Sequence, residues 1–259
     1  MILDEIAAAA HKRVAEAKKK VSCKEMRARA EALGADTGFP FERALEGEGI
    51  SFICEVKKAS PSKGLIAPDF DYLSIAREYE AAGASAVSVL TEPDYFLGDI
   101  GYLREIAKEI HIPALRKDFT VDGYMIYEAK AAGAAAVLLI CALLEKEAIR
   151  DYIDMCDSLG LSALVEAHDE REIEEAVWAG ARIIGVNNRN LKNFTVDIKN
   201  SIRLRERVPS HIYFVAESGI RTREDILELE AGKVNAVLIG ETLMRSGDKK
   251  KILEELRGR

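Results

Sequence analysis

Charged and amide residues end several apolar runs of this sequence, at spacings that place them on shared faces. The run "ISFIC" is followed by Glu55 and Lys57, two residues apart and so on one face of a strand, opposite Cys54 and Val56. In "ALRKDFT", Lys117 shares a face with Leu115 and Phe119, while Arg116 and Asp118 share the other. Glu166 ends "SALVE" in phase with Leu164 and His168. Asn187 and Arg189 follow "IIGV", Glu217, Ser218 and Gly219 follow "FVA", and Gly240 and Glu241 follow "VLI". If these side chains pointed into a layer of packed helices, each ion would cost several kcal/mol, so a common interior end is the expected destination. Ammonium groups beside carboxylates in a partly dry cleft hold pKa values suited to passing protons to and from a ligand. The chemistry predicted from these residues is general acid–base catalysis.

Such residues meet only if the chain folds back repeatedly, and a recurring phrase supplies the folding unit. "EYEAAGASAVSVL", "EAKAAGAAAVLLI", "EAVWAGARIIGV" and "ELEAGKVNAVLIG" each join a helical pattern to an apolar run through a glycine. Gly83, Gly133, Gly180 and Gly232 stand where a helix C-terminus favours a left-handed residue. Runs near 50–57, 84–91, 113–119, 135–142, 162–168, 182–188, 213–219 and 236–242 read as strands buried on both faces. Helical patterns near 70–82, 98–109, 122–132, 145–158, 169–179, 197–207, 222–230 and 248–257 alternate with them. This predicts a (β/α)8 TIM barrel, whose strands end at the active-site face. An open doubly wound sheet is the competitor, but its Gly-rich first turn is missing.

Within a barrel, small residues after the seventh and eighth strands form a phosphate cradle from backbone N–H groups. "SGI" and "IGE" fit that pattern and make Ser218, Gly219, Gly240 and Glu241 candidate phosphate-binding positions. "SPSKG", with Ser60, Pro61 and Gly64, reads as the first active-site loop, restrained by proline and hinged by glycine. Residues 1–48 lie outside the repeat. Ile2, Leu3, Ile6, Val14 and Ala17 keep partly helical spacing, and "CKEMRARAEAL" continues as a second helix. This extension either crosses one end of the barrel or caps apolar surface at its bottom, and composition does not choose. The expected organisation is one TIM-barrel domain over 1–259, with the barrel at 49–259.

The 259 residues are 48% hydrophobic, enough for one large core. A net charge of −7 argues against a general nucleic-acid binder. The four cysteines lack C-x-x-C spacing and read as reduced, in a cytoplasmic protein. No apolar run approaches the ~18 residues of a membrane span, and charges interrupt the N-terminus as they would not in a signal peptide. The histidines have no metal-ligand spacing, and His168 reads more simply as a rim histidine bonded to a loop than as part of the chemistry.

Together these residues resemble the indole-3-glycerol phosphate synthase family over essentially the whole chain. The resemblance is carried by "ILDEI", "EVKKASPSKG", "VLTEPDYFLG", "LRKDF", "LVEAH", "GVNNRNL", "VAESGI" and "LIGETLMR". It implies a carboxy-lyase of tryptophan biosynthesis, with neither cofactor nor metal, acting on 1-(2-carboxyphenylamino)-1-deoxyribulose 5-phosphate. By the same resemblance, Lys117 is the general acid, Glu166 does acid–base work in the dehydration, and Lys57 contacts substrate and gives a proton. Glu55 is expected to pair with both Lys57 and Lys117. Asn187 and Arg189 orient the substrate, supported by Glu217. Ser60 joins them from the first loop, Phe96 and Phe119 wall the aromatic ring, and backbone at Ser218, Gly219, Gly240 and Glu241 holds the phosphate. Two positions depart from the family pattern: Ala59 replaces a frequent basic residue, and Glu241 brings a carboxylate to the cradle, where its side chain must turn away. The implied partner is a small phosphorylated substrate, with no nucleic acid or membrane, and the chain a monomer or weak homodimer.

Overall fold

Each apolar run becomes a strand of one closed parallel barrel in the computed structural model, which describes residues 2–190 and 195–258. Leu191 of the "GVNNRNL" motif lies outside the described residues. The strands are β1 (Ser51–Val56), β2 (Ala86–Leu90), β3 (Ala114–Lys117), β4 (Ala136–Ile140), β5 (Ser162–Ala167), β6 (Ile183–Asn187), β7 (Tyr213–Glu217) and β8 (Ala236–Ile239). Neighbours in sequence pair in order, and β8 closes onto β1 with Ser51 opposite Ala236 and Cys54 opposite Ile239. Nearly every strand residue is buried, because both faces of the sheet are covered. One face fills the barrel with Ile53, Leu115, Leu138, Leu164, Val215 and Leu238. The other meets the surrounding helices through residues such as Cys54, Val87, Leu139, Val165 and Phe214.

Three helices precede the barrel: α1 (Ile2–Lys20), α2 (Cys23–Glu31) and α3 (Pro40–Arg43). The outer layer is α4 (Tyr72–Ala81), α5 (Ile100–Glu109), α6 (Gly123–Ala131), α7 (Lys146–Ser158), α8 (Glu170–Trp178), α9 (Lys199–Arg205), α10 (Arg223–Ala231), the short α11 (Glu241–Met244) and α12 (Lys249–Arg257). Side chains of Asp71, Asp99, Asp122, Asp169, Thr222 and Asp248 cap the N-termini of α4, α5, α6, α8, α10 and α12. Gly83, Gly133 and Gly180 take φ of 81°, 90° and 88° just past their helices, as their positions predict. Gly232 does not: its φ is −74°, and Lys233 adopts the left-handed conformation with φ 59°. The cause is spacing. The left-handed residue sits three positions before the strand in all four units, and "AGKVNAV" has one residue more between glycine and strand than the others.

The extension serves both ends of the barrel, so its two expected placements each hold for a different segment. α1 lies over the C-terminal end, where Arg13 reaches Asp118 at 2.6 Å and Ile2, Leu3 and Ile6 overhang a cavity. α3 closes the opposite end, where Phe41 and Leu45 join the interior cluster and Glu42 accepts hydrogen bonds from Ser162 and Arg182 at the starts of β5 and β6. α2 links them by packing against α6. Among the described residues no helix is long and apolar enough to cross a membrane.

Candidate active site

The pleat decides which side chains enter the barrel mouth. Glu55 follows Ile53, Lys117 follows Leu115, Glu166 follows Leu164, Asn187 follows Gly185 and Glu217 follows Val215 on the interior face. These five, with Lys57, Ser60, Phe96, Phe119, Arg189, Ser218, Gly219, Gly240 and Glu241, line one cavity of about 580 Å³. Every candidate residue from the sequence is therefore in one place. Leu138, Ile140 and Leu238 form an apolar floor, and Ile2, Leu3 and Ile6 of α1 a roof.

At the centre stands Lys117, whose Nζ lies 3.4 Å from Glu166 Oε2 and 3.4 Å from Glu217 Oε2. Burial alone would lower the pKa of Lys117, but Glu217, Glu166 and Glu55 outweigh it and hold the group firmly cationic. Glu55 itself forms its ion pair with Lys57, so its action on Lys117 is through the field rather than by the direct pairing expected. The two carboxylates beside Lys117 diverge. For Glu166, burial is opposed by Lys117, then His168 and Asn187, and its pKa falls well below the usual carboxylate range. Glu217 is pushed above that range by burial and by the charges of Glu166 and Glu55, against the pull of Lys117. Carboxyl groups separated in this way supply a base and an acid to the same site. Glu217 Oε2 contacts Lys117, and its Oε1 has no hydrogen-bond partner among the described residues.

One wall is aromatic, with Phe96 and Phe119 at a centroid distance of 6.0 Å. Buried Glu92 fixes the first of these by accepting the backbone N–H groups of Asp94, Tyr95 and Phe96 at 3.0, 2.8 and 3.0 Å. The opposite wall is built from the ends of β7 and β8. Ser218 and Gly219 are consecutive left-handed residues, at φ 67° and 89°, and Thr242 Oγ1 donates to Ile220 O at 2.8 Å, tying the two loops. A side chain at Gly240 would collide with Glu55 and Lys57, so glycine there lets the first strand's ion pair pack against the eighth. Glu241 turns toward cations: Lys63 of the first loop at 3.4 Å, Arg245 at 3.2 Å and Arg189 at 3.9 Å. Among the described residues no group of three His, Cys, Asp or Glu could hold a metal ion.

Three further residues shape the surroundings of this cluster. Gly185 leaves the space that Glu217 Oε1 fills, and a Cβ there would strike that oxygen. A lone glycine inside a strand is the signal that marks such an approach. His168 is no simple rim residue: it lies between Glu166 and Glu172, 3.4 and 3.0 Å from their oxygens. Arg13 carried no local signal, since its partners Glu92 and Asp118 are far along the chain, the second 105 residues away.

A family model described as indole-3-glycerol phosphate synthase matches residues 3–256. The chain is 58% identical over 258 residues to an indole-3-glycerol phosphate synthase of Ruminiclostridium cellulolyticum, covering 100% of this chain and 99% of the relative. It is 54% identical over 257 residues to the synthase of Endomicrobium trichonymphae, covering 99% and 100%, and 49% identical over 259 residues to that of Lacticaseibacillus casei, covering both in full. Solved structures share the fold at low identity. A 3-hexulose-6-phosphate synthase superposes with a TM-score of 0.64 at 13% identity, over 81% of this chain and 99% of the other. Phosphoribosylanthranilate isomerase from Thermotoga maritima does so with 0.57 at 15%, over 81% and 100%.

Proposed function

The chain belongs to the indole-3-glycerol phosphate synthase family, and on that premise we propose a division of labour among the residues of its barrel mouth. The reaction closes the ring of 1-(2-carboxyphenylamino)-1-deoxyribulose 5-phosphate and releases carbon dioxide and water, giving indole-3-glycerol phosphate for tryptophan biosynthesis. The ring carbon bearing the carboxylate attacks the ribulose carbonyl carbon, and the carbonyl oxygen gains a proton as the C–C bond forms. Lys117 gives that proton. Loss of carbon dioxide restores the aromatic ring. The new hydroxyl then leaves as water, taking a proton from Lys57 while Glu166 removes one from the substrate. The observation that carries this reading is the ammonium of Lys117, set between Glu166 and Glu217 in the cavity that Phe96 and Phe119 also line.

Position in the cavity supports the remaining assignments. Phe96 and Phe119 take the anthranilate ring, offering apolar faces to it. Backbone at Ser218, Gly219, Gly240 and Glu241 takes the phosphate, with Lys57 alongside. Ser60, Asn187 and Arg189 hold polar groups of the sugar and carboxylate, and Glu55 holds Lys57 in place through their ion pair. The protein acts in the cytoplasm as a monomer or weak homodimer, and a stable higher oligomer in sedimentation would overturn that part. Turnover is tested by mixing purified protein with the carboxyphenylamino substrate in the absence of added metal and following indole fluorescence, which should rise. Borohydride added during turnover should leave the protein unlabelled. A trapped adduct on Lys57 or Lys117 would replace acid catalysis by imine chemistry.

A further inference from the structure

Behind Glu166, away from the cavity, stands an ionic arrangement that the reaction scheme leaves unused. His168 is absent from the cavity lining, and its side chain is 18% exposed. Its Nδ1 lies 3.0 Å from Glu172 Oε2, and the same oxygen accepts the backbone N–H of His168 at 2.8 Å. Glu172 is buried in the first turn of α8, where its own N–H donates to the cap Asp169 at 2.9 Å, so the ring is held from a fixed point. With a carboxylate on Nδ1, that nitrogen carries hydrogen. Nε2 is buried and makes no hydrogen bond among the described residues; it faces Glu166 Oε1 at 3.4 Å, an ionic approach.

The state of Nε2 follows from its neighbours. Burial would lower the pKa of His168, but the hydrogen bonds and charges of Glu166 and Glu172 outweigh it and raise the ring to about 10. Both ring nitrogens then carry hydrogen, and a cation sits between two carboxylates. Glu166 Oε1 also receives Asn187 Nδ2 at 3.3 Å, whereas Oε2 faces Lys117 at 3.4 Å. One oxygen of Glu166 is thus engaged from behind, and the other is left to the ammonium and the ligand.

We infer that His168, fixed by Glu172, is a positioning residue that pins Oε1 of Glu166 so that Oε2 is presented to Lys117 and the substrate. The inference rests on the acid–base role proposed for Glu166. A small misorientation of a reacting group costs up to about a hundredfold in rate without comparable loss of binding.

The amides of Gln and Asn separate the two ring nitrogens. A Gln amide at 168 reaches the place of Nε2 and restores the donor to Glu166. An Asn amide reaches only the place of Nδ1 and restores the contact to Glu172. His168→Asn should lose kcat by on the order of tenfold with KM changed less than about threefold, while His168→Gln stays within about threefold of the parent in kcat. Glu172→Ala touches neither cavity nor Glu166, and should repeat the kcat loss of His168→Asn. Equal kcat for the two His168 variants, or unchanged kcat in Glu172→Ala, overturns the inference. Glu166→Gln, measured beside them, reports on the premise: near-parent turnover there would show that Glu166 is not the acid–base residue, whichever way the His168 pair falls.

Discussion

Adjacent residues at the end of β3 anchor two ionic clusters on opposite faces of one strand. Lys117 faces inward to Glu166 and Glu217, with Glu55 acting from further off. Arg116 and Asp118 face outward, beneath α1, into a layer where charge is costly. The outer cluster meets that cost with short, directed bonds. Asp118 accepts from Arg13 at 2.6 Å, Thr91 Oγ1 at 2.6 Å, Arg116 at 3.2 Å and its neighbour's N–H at 2.8 Å. Arg116 adds the carbonyl of Met125 at 2.8 Å and Glu128 at 2.8 Å. The inner cluster is looser. Its contacts to Lys117 are 3.4 Å long, two carboxyl groups compete for that one ammonium, and Glu217 Oε1 has no hydrogen-bond partner among the described residues. Each cluster leaves one buried atom without a hydrogen bond among the described residues, Arg13 Nη1 outside (3.6 Å from Glu92 Oε1) and Glu217 Oε1 inside, so what separates them is the short, directed bonding of the outer cluster against the long, shared contacts of the inner one.

The widest separation should come from breaking each cluster at its centre. Lys117→Ala should lower kcat by about a thousandfold or more, in the upper range for loss of a general acid, with folded circular dichroism retained. A near-parent kcat would remove Lys117 from the mechanism. Asp118→Ala leaves Arg13 and Arg116 without their shared carboxylate and should cost about 3–5 kcal/mol of stability. Its Tm should drop by roughly 10 °C, with kcat held within about tenfold of the parent. If Asp118→Ala unfolds no earlier than Lys117→Ala, the outer cluster is not the structural one.

Gly185 tests how closely the inner cluster is fitted. A methyl group there would strike Glu217 Oε1 and push the carboxyl off its line to Lys117. Gly185→Ala should lose about 1–3 kcal/mol of stability by overpacking and about tenfold in kcat. Unchanged kcat at full occupancy of the fold would mean that Glu217 has room to move and no fixed part.

Between these faces lies the boundary of what the sequence made legible. Period-two alternation identified the inward residues from Glu55 to Glu217, because a strand buried on both faces permits few charges and each one stands out. The same rule, applied as a cost, argued against ions in the helix layer, and Arg116 and Asp118 are the exception. Their compensation comes from Arg13, 105 positions away from Asp118, and no local pattern records a contact at that distance. The roof of Ile2, Leu3 and Ile6 was hidden for the same reason: amphipathic spacing shows that a helix packs, not which end of the barrel it covers. His168 shared the phase of Glu166, but its second partner lies one helical turn on, in α8, and only the turn between β5 and α8 brings it close.

The two clusters should also titrate with opposite sign. Asp118 is buried, but Arg116 and Arg13 outweigh that and hold its folded pKa below 3.8. Its contribution to stability is present above the unfolded value and is lost as pH falls through the folded one. Glu217 has a folded pKa raised above 4.5 by burial, then by Glu166 and Glu55. The folded state therefore keeps a proton that the unfolded chain releases. That contribution is full below the unfolded value and is lost as pH rises through the folded one. Glu217→Gln, which carries no proton to lose, should flatten the fall of Tm on the alkaline side of the usual carboxylate range. Asp118→Asn should flatten the acid side. Parallel Tm–pH curves for Glu217→Gln and the parent would show that Glu217 is an ordinary carboxylate in the folded protein.

The smallest effect belongs to Glu241, which extends the comparison to the proposed phosphate cradle. Its carboxylate joins Lys63 of the first loop, Arg245 and Arg189, with its own side chain 26% exposed. Unlike the outer cluster, these bonds are long and partly in water, so each is worth no more than about 1 kcal/mol. An arriving phosphate meets this carboxylate as a competitor for the same cations. Glu241→Gln keeps the backbone N–H and removes the competing charge, so KM should fall by about two- to fivefold while kcat stays within twofold. Screening predicts that the difference shrinks as salt rises from about 0.01 to 0.15 M, where the Debye length falls from about 30 to 8 Å. A rise in KM would reverse the assignment, because Glu241 would then be holding Lys63 and Arg245 in place for the phosphate rather than against it.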